Sequence, residues 1–165
     1  MEGLRVLGVD PGLNITGYGV IVADERRPQL AEAGVVRGPS SRAQLADRLN
    51  QIHQGITEVL RDCRPDVMAV ENLYSHYQRP QTAILMGHAR GVILLAAAQI
   101  EIPVMGYSAT RVKKILTGSG HAPKLQVQQT VQRELQLNQI PNPPDVADAL
   151  AIAMCHYFLR GKVCS

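Results

Sequence analysis

The chain has no tryptophan, one phenylalanine and five tyrosines among 165 residues. With so few rings, the core must be built from aliphatic side chains. Its three cysteines, Cys63, Cys155 and Cys164, are odd in number and lack CxxC spacing. That pattern argues against a disulfide framework or a zinc site and predicts reduced thiols in a cytosolic protein. No run of about 18 uncharged apolar residues occurs, so no membrane span is expected. The N-terminus carries Glu2 and Arg5 without a small-residue cleavage pattern, so no secretory leader is expected. Charge is also sparse in the net: 17 Lys and Arg against 14 Asp and Glu leave +3. That balance permits a nucleic-acid partner without demanding one. No internal repeat, low-complexity tract or linker divides the chain.

What is present is 45% hydrophobic residues, enough for one core and a single domain over residues 1–165. The opening "LRVLGVDPGLNITGYGVIVAD" reads as a buried strand over residues 4–9, a Pro11-Gly12 turn and a second strand over 15–22. A break at Arg26-Arg27-Pro28 precedes a third strand over 30–36, giving an antiparallel meander. Ser41 is placed to cap a helix reaching about Arg61, with Leu45, Leu49, Ile52, Ile56, Val59 and Leu60 on one face. "VMAVE" is a short buried strand ending in Glu71, and residues 72–79 form a loop. A helix over 81–100, a strand "IPVMGY" and helices over 109–116, 124–135 and 143–159 complete the order. This is an α/β fold, a mixed five-stranded sheet flanked by helices on both faces.

Acids stand where packing alone does not ask for them. Asp10 ends the first strand and Glu71 the fourth. Asp145 and Asp148 open the last helix, spaced i and i+3 on one face. If the first and fourth strands are parallel neighbours, their C-terminal ends coincide at the edge where α/β sheets place their sites. Asp145 alone could serve the helix dipole, and Glu71 alone could be a solvated strand end. Asp10, at the end of so apolar a strand, is harder to explain without a partner. Converging carboxylates repel one another, and hard divalent cations relieve that repulsion.

The motifs "GVDPGLNITGYGV", "VENLY", "GHARGVILLAA", "VKKILTGSGHAPK" and "DVADALAIA" together resemble the RuvC Holliday-junction resolvases, in order along nearly the whole chain. The resemblance implies a ribonuclease H-like fold in a bacterial cytoplasmic protein. It implies a homodimer that resolves four-way DNA junctions by paired nicks, in recombination and repair. It places the metal-binding and catalytic acids on Asp10, Glu71, Asp145 and Asp148, with Mg²⁺ or Mn²⁺, two ions per site, as cofactor. Some relatives carry histidine at the position of Asp145. The resemblance also implies DNA contact by Tyr74, as a ring stacking on bases, and by Lys113 and Lys124, which flank the Gly-rich "LTGSGHA". Lys114 and Arg111 have no matched role. His121 sits in that loop, with phosphate contact open to it and no role assigned; His53, His76, His88 and His156 are expected to be structural or superficial.

The helix over 81–100 is apolar on every face from Gly91 to Ala98. One side can cover the sheet; small residues at Gly87, Gly91 and Ala96 to Ala98 permit a partner helix on the other. Homodimerisation through this helix is expected, and the resemblance suggests RuvA and RuvB as branch-migration partners. Three other readings fit parts of the chain. One is an ATP-binding module, since "DPGLNITGYGV" also resembles a phosphate motif of the sugar-kinase, Hsp70 and actin group. The others are a non-catalytic junction-binding subunit and a ribosomal RNA processing factor.

Overall fold

The structure, a computed structural model, describes residues 3–73 and 79–160. Its elements are β1 (Leu4–Asp10), β2 (Ile15–Ala23), β3 (Pro28–Arg37), α1 (Leu45–Cys63), β4 (Val67–Glu71), α2 (Pro80–Gln99), β5 (Val104–Tyr107), α3 (Ala109–Thr117), α4 (Lys124–Glu134) and α5 (Pro144–Arg160). The sheet order is β3-β2-β1-β4-β5. The first three strands form the expected antiparallel meander, and β1–β4 and β4–β5 are parallel.

Side chains alternate across a strand, so the two faces of β1 feed two cores. Leu7 and Val9 join Met68 and Val20 beneath α1 and α2, where Ile52, Ile56, Leu60, Ala89 and Ile93 are buried. Val6 faces the opposite way, with Val67 and Ala69, under α5 and the flanking α3 and α4. Both cores are overwhelmingly aliphatic, as the scarcity of rings requires. Gly8 is what lets α5 lie close on β1. A Cβ there would collide with the carbonyl oxygen of Ala149 in the helix backbone.

Two boundaries differ instructively from the sequence expectation. Ser41 does not cap α1, which starts at Leu45 after Gln44 with no side-chain cap. The preceding residues close a turn instead: Arg42 N–H donates to Ser40 Oγ at 3.2 Å and Ala43 N–H to the Ser40 carbonyl at 2.8 Å. A local side chain–backbone turn has outcompeted the helix here. The fifth strand is shorter than "IPVMGY" and begins at Val104.

α2 is long and apolar enough to cross a membrane by length and composition, with a mean hydropathy of 1.3. Packing on the core accounts for part of that composition. Ala89, Ile93, Ala96 and Ala97 are buried in the core, and Arg90 is bonded to the end of β4. The small residues therefore divide. Ala96 and Ala97 face inward, whereas Ile84, His88, Gly91, Leu95 and Ala98 lie exposed at three- and four-residue spacing.

Candidate metal and nucleic-acid site

Alternation along β1 sends Asp10 to the same face as Val6 and Gly8; along β4 it sends Glu71 to the face of Val67 and Ala69. The parallel register pairs Val9 with Val70, so the next step brings Asp10 beside Glu71 at the C-terminal edge. On β2, Gly17 stands opposite Asp10. A Cβ at Gly17 would collide with the Asp145 carbonyl oxygen, so this glycine admits the first turn of α5 over the strand ends. Asp145 and Asp148 arrive there from above. The backbone thus delivers all four acids to one edge of the sheet.

Two interactions fix that edge. Thr16, fully buried, donates its Oγ1–H to the Gly12 carbonyl at 2.7 Å and accepts from Gly12 N–H at 3.2 Å. This clamps the turn that follows Asp10. Arg90 Nε donates to the Glu71 carbonyl at 3.1 Å, and its Nη2 to Asn72 Oδ1 at 3.2 Å, anchoring the end of β4 to α2. Neither residue stood out in the sequence. For Arg90 the signal was present: it is the one Asp, Glu, Lys or Arg between Gln81 and Ile100.

The electrostatics are those of a site short of positive charge. Burial first, then Glu71, Asp148 and Asp145 in turn, push the Asp10 carboxyl from its ordinary 3.8 up to about 8, against the pull of Lys124. Burial and then Asp148 raise Glu71, while a hydrogen bond from Asp10 and the charges of Lys113 and Lys124 oppose the rise. Asp148 is raised by burial against Lys124, whose Nζ lies 3.3 Å from Asp148 Oδ2. Lys113, on α3, and Lys124, opening α4, line a cleft of ≈ 250 Å³ with Glu71 and Asp148. Between those helices Gly118 takes the left-handed conformation, φ 86°, and returns its N–H to Lys114.

The donor set is all carboxylate oxygen, which suits a hard divalent cation. Among the described residues, no group of three or more His, Cys, Asp or Glu side chains is arranged, as it stands, to hold a metal ion. A divalent cation that keeps several of its waters suits so open an arrangement. A divalent charge would also offset the repulsion that raises Asp10, Glu71 and Asp148.

The other sequence expectations fall as follows. His121 is exposed in the α3–α4 loop. His53 bonds Gln99 Oε1 at 2.9 Å, and His156 Nδ1 meets the Tyr107 hydroxyl at 2.7 Å, both structural roles. Arg111 lies over the Tyr107 ring, 5.8 Å from its centroid, outside the cleft. Tyr74 and His76 lie outside the described residues.

A family model described as Crossover junction endodeoxyribonuclease RuvC matches residues 6–156. The chain belongs to the RuvC family. A RuvC of Rhodopirellula baltica, named crossover junction endodeoxyribonuclease, is 54% identical over 157 residues, covering 95% of this chain and 88% of that protein. The solved structure of Thermus thermophilus RuvC superposes with a TM-score of 0.89 at 35% identity, covering 97% of both chains. A second Thermus thermophilus RuvC, in complex with Holliday junction substrate, gives 0.88 at 32% identity over 96% of each chain. The fold is accordingly ribonuclease H-like, and the match leaves only short ends of the chain uncovered.

Proposed function

We infer that this chain is a structure-selective endonuclease that resolves four-way DNA junctions by paired symmetric nicks, in recombination and repair. The observation that carries this reading is the meeting of Asp10, Glu71, Asp145 and Asp148 beside Lys113 and Lys124. They meet on a backbone that follows, end to end, a relative bound to a Holliday junction. Asp10, Glu71, Asp145 and Asp148 would hold the divalent ions, Mg²⁺ or Mn²⁺, expected as a pair. When bound, such a pair activates water and steadies the leaving oxygen in phosphodiester hydrolysis. Lys113 and Lys124 neutralise phosphate in the cleft, with Lys124 turning from Asp148 to the DNA. Tyr74 stacks on a base at the junction centre. One domain over residues 1–165 supplies each of these groups.

A junction has two equivalent strands to cut, so two sites are needed. The exposed seam of α2 supplies a two-fold contact. Ile84 is 62% exposed and Leu95 50%, large apolar side chains that a second copy would cover. Delivery of the junction by a RuvA–RuvB branch-migration complex completes the proposal. Replacing Leu95 by Arg is expected to convert a two-chain species to one chain by light scattering. Paired nicks should fall to single ones. A variant that remains two-chain would remove this seam from the interface.

The direct test is cleavage of a synthetic four-way junction beside a linear duplex, with Mg²⁺ or Mn²⁺ and with EDTA. Symmetric nicks confined to the junction and to the metal-containing reactions are expected. Junction binding without nicks under either metal would instead leave a non-catalytic binding subunit.

A further inference from the structure

A second groove, of ≈ 430 Å³, opens on the other flank of the acids, lined among others by Gly12, Asn14, Arg48, Thr82 and Asp145. The acids are thus divided between two clefts. Glu71 and Asp148 face the one with Lys113 and Lys124; Asp145 faces this one. Asp10 feels the charge of all three other acids.

Among the described residues, Arg48 is the one basic side chain lining the second groove. Its Nη2 donates to Asn14 Oδ1 at 2.8 Å, a neutral amide that leaves the guanidinium charge uncompensated. Its Nε is buried and has no hydrogen-bond partner among the described residues. Nor does Arg48 form an ion pair among the described residues, although Asp145 lines the same groove. A buried guanidinium N–H without an acceptor is costly, and the planar fork of arginine matches two oxygens of a phosphate. We propose that Arg48, oriented by Asn14, grips a phosphate of the DNA strand being cut, on the flank of the acids opposite Lys113 and Lys124. The strand then runs from the lysine cleft, over the acids, into the Arg48 groove. Two positive anchors on either side of the reacting phosphate fix its place along the strand. Arg48 acts here as a positioning residue. This assignment rests on the endonuclease reading given above.

A purely structural Arg48 would only tie α1 to the β1–β2 turn. The two roles separate by junction binding in metal-free buffer, measured over a range of salt for wild type, Arg48→Gln and Arg48→Lys, with melting curves as the folding control. A set of junctions each carrying one neutral methylphosphonate near the cut site completes the experiment. Arg48→Gln is expected to weaken binding roughly tenfold and to reduce the slope of log Kd against log salt by about 0.7–0.9. One methylphosphonate should weaken wild type by a similar factor and leave Arg48→Gln unaffected. If Arg48→Gln does not fold, the comparison passes to Arg48→Lys, in which that methylphosphonate should cost less than in wild type. An unchanged salt slope, with every methylphosphonate costing variant and wild type alike, would overturn the proposal. Wild type that neither prefers nor cuts the junction would overturn the endonuclease reading and this one with it. Normal wild-type cleavage with an indifferent Arg48 variant would overturn this one alone.

Discussion

Asp10→Asn is expected to bind a four-way junction as tightly as wild type, within about twofold, and to cut it roughly 10³-fold more slowly or worse. The size follows from position. Asp10 is central in the acid set, feeling Glu71, Asp148 and Asp145 together. Losing it forfeits several kcal/mol of metal-borne stabilisation of the transition state, and each 1.36 kcal/mol is about tenfold in rate. Binding is spared because Asn fills nearly the same volume and removes a negative charge from a surface that meets phosphate. Single-turnover cleavage and gel-shift titration read the two quantities separately. Cleavage at the wild-type rate would remove Asp10 from the site. A parallel loss of binding would show that the substitution had disturbed the strand ends instead.

The second large effect concerns the metal-free protein and pH. In the folded chain Asp10 keeps its proton up to about pH 8, whereas the unfolded chain releases it near 3.8. Between those values the folded state binds more protons than the unfolded state, so stability falls as pH rises through the window. It levels off above pH 8, where both states are ionised. Glu71 and Asp148 are raised as well and act with the same sign. The Asp10 contribution, discounted for the solvent that still reaches the carboxyl, is on the order of 2–4 kcal/mol. For a chain of this length that corresponds to about 5–15 °C in melting temperature. Asp10→Asn should therefore match wild type near pH 4 in EDTA and melt higher than wild type near pH 8. Mg²⁺ or Mn²⁺ should restore wild type at pH 8 and help Asp10→Asn far less, since a cation that binds only the folded state stabilises it. Identical melting curves for the two proteins across this range would mean that Asp10 is ionised and fully solvated.

Both predictions depend on the site's charge, and that charge was legible early. An apolar strand ending in Asp10, a second ending in Glu71 and an i, i+3 acid pair at a helix start are local patterns. Strand alternation and helical periodicity then assign a face to each without tertiary information. The meander, the two later strands and the five helices were legible because apolar runs bounded by turn residues mark them in the sequence. Where a short-range competitor existed, the pattern misled. Ser41 has the chemistry of a cap, but Ser40 closes a turn first, and α1 waits until Leu45. The small residues of α2 were likewise identified together, and only packing separates inward Ala96 and Ala97 from outward Gly91 and Ala98.

The sequence by itself determined the element order, the aliphatic cores and the identity of the acids, because these rest on residue type and on periods of two and 3.6. The tertiary structure alone decided what surrounds them. That Gly17 makes room for the backbone of Asp145, that Thr16 clamps the turn after Asp10, and that Arg90 holds the end of β4 are contacts between separate segments. The division of the acids between a lysine cleft and an arginine groove is of the same kind. Arg48 and Asp145 are 97 positions apart, and no local pattern relates them. Only closure of α1 and α5 around the ends of β1 and β2 brings that charge and that carboxylate to one groove.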